Sequence, residues 1–152
     1  MQTHTIEFIK REIKINDIAN SGYIAFYLYL VMLLIQWVVA TFSKSKQSDA
    51  VPGKIDNNLS HDSFIFRAHR TFHNTLENSA LFVGTVLLAF VLNVQSPIFA
   101  IFIWTYLIAR IVHMVLYYVI ATEKNPSPRT YFFLIGVAAN IAMLVILGLR
   151  LI

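Results

Sequence analysis

Residues 23–42 read YIAFYLYLVMLLIQWVVATF, twenty consecutive positions without a charged side chain. The hydrocarbon core of a bilayer is about 30 Å thick, and roughly 20 apolar residues of helix cross it. The stretch is therefore expected to span a membrane, with Tyr23, Tyr27, Tyr29 and Trp37 near its ends, where aromatic rings favour the interface. Val38 and Ala40 have the small-residue spacing of a signal-peptide cleavage site, but the apolar run is too long for a signal-peptide core.

Three further apolar stretches follow, at about 76–94, 97–121 and 131–152, each close to the length one crossing needs. Pro97 opens the third, a position where its missing amide hydrogen has no helical partner anyway. The expectation is an all-α, integral membrane four-helix bundle forming one domain over 1–152. Composition agrees: 57% of residues are hydrophobic and 13% charged, against about a quarter charged in soluble domains, and the mean hydropathy is +0.64. There is no cysteine, which excludes disulfides and a thiolate metal site, so any sulfur chemistry needs a thiol from outside. The net charge of +4 is spread along the chain without a basic block, so nucleic acid is not an expected partner. Before the first span, Ile6, Ile9 and Ile13 share one helical face and are expected to lie along the bilayer surface.

Spans two and three are joined by little more than Gln95 and Ser96, which makes them antiparallel neighbours. The segment 43–65 is long and polar, with Pro52, Gly53 and Asn57–Asn58 as breakers. Four crossings put both termini on one side and the first and third connections on the other. The connection side carries Lys44, Lys46, Lys54, Arg67, Arg70, Lys124 and Arg129, and the terminal side Lys10, Arg11, Lys14 and Arg150. The positive-inside rule then makes 43–65 a cytoplasmic loop. Span two starts at that face and span three ends there, so the polar start of one and the polar end of the other meet at similar depth.

Those two ends carry the chemistry. On a helix advancing about 100° per residue, Arg67, Arg70, Asn74 and Glu77 fall on one face roughly 80° wide, and Arg110, His113 and Tyr117 fall within about 60° of each other on span three. An ionisable group at the centre of a span costs from about 2.5 kcal/mol upward, so such groups are expected to face a partner or a wet cavity. A structural reading stays open for each. Arg67 and Arg70 can snorkel to lipid phosphates, Glu77 and Arg110 can form a buried ion pair holding two helices in register, His113 can be a hydrogen-bonded bundle residue, and Tyr117 can simply pack. His61, His69 and His73 lack the adjacent carboxylates of a metal site, and no metal is expected. Together the two faces offer guanidiniums, a carboxylate, an amide, an imidazole and a phenol. A small peptide bearing two carboxylates and an ammonium group matches that set, since the guanidinium fork suits carboxylates.

The pattern RAHRTFHNTLEN at 67–78, followed by ARIVHMVLY at 109–117 and the pair Arg129–Thr130, closely resembles the membrane-associated proteins in eicosanoid and glutathione metabolism, the MAPEG family. That family contains microsomal glutathione transferases, microsomal prostaglandin E synthase, leukotriene synthase and a non-catalytic lipoxygenase-activating member. The resemblance covers nearly the whole chain. It implies a homotrimer of four-helix subunits embedded in membrane lipids, binding glutathione between subunits near the cytoplasmic face. By position it implies Arg70, Asn74, Glu77, Arg110, His113 and Tyr117 as glutathione contacts, with His73 standing where the prostaglandin synthase has arginine. It implies Arg129 as the arginine that steadies the glutathione thiolate, and Thr130 where a serine often donates to sulfur. Phe133 lacks the hydroxyl some members carry after that arginine, so a general glutathione transferase is expected, with possible peroxidase activity on lipid hydroperoxides in the service of detoxification. The alternative is a non-catalytic lipid-binding or scaffold protein on the same trimeric fold. The membrane would be the inner membrane in a bacterium and the endoplasmic reticulum in a eukaryote.

Overall fold

The computed structural model describes residues 2–47, 51 and 54–152, and of residues 2–5, 8, 9, 12, 15 and 16 the backbone only. Four helices follow one another: α1 (Gln2–Lys44), α2 (Phe64–Val91), α3 (Pro97–Val119) and α4 (Pro128–Leu151). Each contains a stretch long and apolar enough to cross a membrane. The chain is an all-α, integral membrane four-helix bundle.

Local chemistry sets the ends. Pro128 and Ser127 start α4 three residues before the apolar stretch: the Thr130 hydroxyl accepts the Ser127 N–H at 3.2 Å, and the Thr130 N–H donates to the Ser127 carbonyl at 2.9 Å. Ser96 caps α3 with its own side chain, the hydroxyl accepting from the Phe99 N–H at 3.4 Å. Between α2 and α3 the chain reverses through Asn93, which takes a positive φ of 50°, a conformation asparagine tolerates better than most side chains. In the first connection Asn57 and Asn58 do form a turn, held by the Asp56 carboxylate accepting the Asn58 N–H at 2.9 Å, while Pro52 and Gly53 lie outside the described residues.

Two expectations are corrected. The second helix begins at Phe64, inside the segment read as the 43–65 loop, and the polar stretch 67–75 forms its amino-terminal part, as the helical-face reading required. The helix α1 runs unbroken for 43 residues, about 65 Å at roughly 1.5 Å per residue, so it continues past the bilayer core instead of turning along its surface. Ile6 and Ile13 are exposed on it, and the Ile9 side chain lies outside the described residues.

Helix α3 is the hub, packing against α1, α2 and α4, whereas α1 and α4 do not touch among the described residues. The centre of the bundle is aromatic. Phe82 and Tyr106 stack with centroids 3.8 Å apart and planes 6° from parallel, and Tyr29 meets both edge-on at 4.6 and 5.7 Å. The Tyr29 hydroxyl keeps its polarity satisfied by a 2.6 Å hydrogen bond to Ser79. The outward faces remain apolar, with Ile24, Leu34, Ile98 and Ile141 all exposed, as suits lipid rather than water.

Close approach of α1 and α3 depends on Gly22, where a Cβ would stand 3.1 Å from Ile103 Cδ1 and 3.2 Å from Ala100 Cβ. Gly22→Val is therefore expected to lower the unfolding temperature in detergent, a loss of about 1–3 kcal/mol from overpacking. Gly84→Ala, with nothing within 4 Å of the added methyl, is the control and should not destabilise. Equal unfolding temperatures for Gly22→Val and wild type would refute this packing.

Candidate functional site

Helix α2 presents a stripe of small and hydroxyl-bearing residues, Ala68, Thr71, Thr75 and Ser79, continued by Phe82, to its neighbours. This stripe decides what reaches the interior. Arg110, in mid-α3, is 1% exposed, and its Nη2 donates to Asn74 Oδ1 and to Thr75 Oγ1, both at 2.8 Å. Its Nε finds no partner among the described residues. A guanidinium without a carboxylate is thus stitched to α2 by two neutral oxygens. The hydrogen-bond chain continues through the bundle, since Ser79 donates to the Thr75 carbonyl at 2.8 Å and shares the 2.6 Å bond with Tyr29.

Beside this pair a cleft of about 170 Å³ opens between three helices, lined by Asn74 of α2, His113 and Tyr117 of α3, and Arg129, Thr130 and Phe133 of α4. Arg129 is 9% exposed; its Nη2 donates to the Thr122 carbonyl at 2.7 Å, its Cζ lies 4.0 Å from the Tyr117 ring centroid, and its Nη1 is buried without a partner among the described residues. Such cation–π placement holds the charge without neutralising it. His113 is buried, its ring 5.4 Å from Tyr117 and 6.3 Å from Phe133, with Nδ1 lacking a partner. Arg110 Cζ sits 6.0 Å from the same Phe133 ring. A larger hollow of about 680 Å³ lies within the first connection and is lined by loop residues alone, Gln47, Lys54 and Asp56 among them.

Of the sequence-derived set, the cleft gathers Asn74, His113, Tyr117, Arg129 and Thr130, with Arg110 bonded to Asn74 at its wall. Arg70 and Glu77 do not join them. Both are exposed, and the Glu77–Arg110 ion pair, left open as a structural alternative, is not formed. The reason is helical: the buried stripe of α2 points about 140–160° away from Arg70 and Glu77, leaving Asn74 at its edge. His73 is partly buried and lies against His69 with centroids 4.1 Å apart and planes tilted by 50°, on α2 rather than in the cleft. Thr130 lines the cleft while its oxygen is engaged in the α4 cap.

Three roles escaped sequence reasoning. Arg67 does not snorkel to lipid; it donates to the His61 carbonyl at 2.6 Å, the Asp62 carbonyl at 2.9 Å and the Tyr118 carbonyl at 3.4 Å. Thr75 holds Arg110, and the i, i+4 row of hydroxyls at Thr71, Thr75 and Ser79 was the signal for it. Gln36 of α1 is fully buried with neither amide atom paired among the described residues.

A family model described as the MAPEG family matches residues 21–149, and the chain belongs to that family. No curated protein and no solved structure matches individually.

Because Thr75 supplies one of two acceptors for a buried cation, Thr75→Val is expected to destabilise by about 1–3 kcal/mol, the cost of leaving a buried donor unpaired. Thermal unfolding in detergent reads it, and an unchanged midpoint would show that the bond carries no weight.

Proposed function

From that membership we propose that the protein is a glutathione transferase of the membrane, joining the glutathione thiolate to hydrophobic electrophiles that enter from lipid. One observation carries the reading: Arg129 lines one small cleft, Arg110 lies buried beside it on Asn74 of the cleft wall, and the hydrogen-bond acceptors of both guanidiniums are neutral oxygens. Burying a charge this way is unfavourable unless a counter-charge completes the site. A peptide with two carboxylates and an ionisable thiol supplies it.

The chemistry follows from the geometry. A free thiol has a pKa of about 8.5, and a fixed cation beside it favours the thiolate at neutral pH. Arg129, held by Thr122 and Tyr117 with one nitrogen uncommitted, is placed to do this. The thiol proton leaves to solvent, the sulfur lone pair forms the new carbon–sulfur bond, and the electrophile's leaving group departs with its electrons. Asn74 and His113 line the same cleft and orient the peptide, and holding both reactants together contributes to the rate.

The exposed positions of Arg70 and Glu77 suit a homotrimer, in which a neighbouring subunit brings its own cleft against this face of α2 and glutathione bridges the two. The cleft lies at the end of the bundle richer in Lys and Arg, so it opens toward the cytoplasm. Reduction of lipid hydroperoxides is a second use of the same thiolate.

Glutathione is expected to bind the purified protein at about millimolar concentration or tighter by calorimetry, with a thiolate signal in the ultraviolet at pH 7. Arg129→Ala should abolish that signal and change affinity by less than about tenfold, whereas Arg70→Ala and Glu77→Ala should weaken binding. No binding at millimolar glutathione would sink the transferase reading, and the reverse pattern among the variants would exchange the assigned roles.

A further inference from the structure

The connection into α2 ends in Ser60-His61-Asp62-Ser63, a polar stretch with no apolar reason to approach the cleft. It is nevertheless tied there. Arg67 Nη1 takes the carbonyls of His61 and Asp62, while Nη2 reaches the carbonyl of Tyr118 in the last turn of α3, an acceptor that has no partner further along the helix. One guanidinium therefore fastens the end of the loop to the end of α3.

The His61 ring is placed by this latch. It stands edge-on to Phe66 with centroids 4.9 Å apart and planes 84° from parallel, and lies 5.8 Å from the Tyr117 ring at 43°. Tyr117 is the ring on which the Arg129 guanidinium rests at 4.0 Å. Tyr117 itself is only partly buried, so what packs against it decides where it sits.

We propose that His61 is a positioning residue for the Arg129 site: it braces Tyr117, and Arg67 holds it in place, so the end of the cytoplasmic loop fixes where the Arg129 guanidinium stands relative to the thiolate. This rests on the transferase reading above.

The charges around His61 come from every neighbouring element: Arg129 from α4, Glu123 from the connection before it, and Arg70 and Arg67 from α2, with the Tyr117 phenol of α3 against the ring. Burial holds the imidazole below its ordinary value and Arg129 adds to this; Glu123 opposes, and Arg70 and Arg67 reinforce the lowering. The neutral ring thus belongs to the latched loop. Its contribution is complete above the free-histidine value of about 6.5 and is lost as pH falls through the lower folded value.

The test uses the full chain in detergent and follows the ultraviolet absorbance of bound glutathione thiolate across pH, beside calorimetric affinity, for wild type, His61→Ala and His61→Phe. His61→Ala should lower the ratio of thiolate to thiol at pH 7 by about three- to tenfold, as a raised thiol pKa of roughly half to one unit requires, with affinity changed by less than about threefold. His61→Phe keeps a ring against Tyr117 and should restore the thiolate fraction. Wild type is expected to gain protease sensitivity in the 54–63 loop as pH falls below about 6.5, and His61→Phe should abolish that rise. A thiolate titration in His61→Ala that matches wild type overturns this inference alone, as does a His61→Phe variant no better than His61→Ala. A wild-type protein with no thiolate signal overturns the transferase reading and this inference with it.

Discussion

A guanidinium in the low-dielectric interior of a helix bundle must find its partners there, because an unpaired buried charge costs roughly several kcal/mol. Arg110 imposes that condition on this fold. It sits in the middle of α3, the helix that touches all the others, and it draws Asn74 and Thr75 of α2 to within 2.8 Å. Fixing α2 against α3 in this register brings the Thr71–Thr75–Ser79 row inward and places Tyr29 over the Phe82–Tyr106 stack. The two partners it obtains are neutral, so they leave its charge uncompensated beside the cleft.

The second cation is held by a different device. Arg129 starts α4 under a cap made by Ser127 and Thr130, and its side chain lies along Tyr117 while bonding the Thr122 carbonyl. Neither contact removes its charge. Helices α2, α3 and α4 each contribute to the cleft, so small rotations of any of them change the distance between the two guanidiniums. The Arg67 latch extends this dependence to the loop between α1 and α2, which is tied to the carbonyl end of α3 beside Tyr117.

The membrane-spanning helices could be read from the sequence because lipid demands length and apolarity, and 23–42 satisfies both without a charge. The residues of the cleft were legible as two helical faces, and Asn74, His113, Tyr117 and Arg129 do line it together. The orientation of α2 was not. Polar spacing shows that Arg70, Asn74 and Glu77 share a face, but only the competing stripe of small residues tells which way that face points. The start of α2 at Phe64 escaped for a related reason: the polar stretch from Arg67 onward separates the apolar Phe64-Ile65-Phe66 turn from the span, so hydropathy does not join the two. Arg67 and His61 act through backbone carbonyls and ring contacts between segments distant in sequence, which no spacing rule encodes.

The central claim is that two buried cations define a site for a peptide anion. Calorimetry of the full-length protein with glutathione, and with glutathione whose two carboxylates are blocked as esters, tests it most directly. The account predicts that the ester binds at least about tenfold more weakly, a difference of about 1.4 kcal/mol. Equal affinities for the two would contradict it.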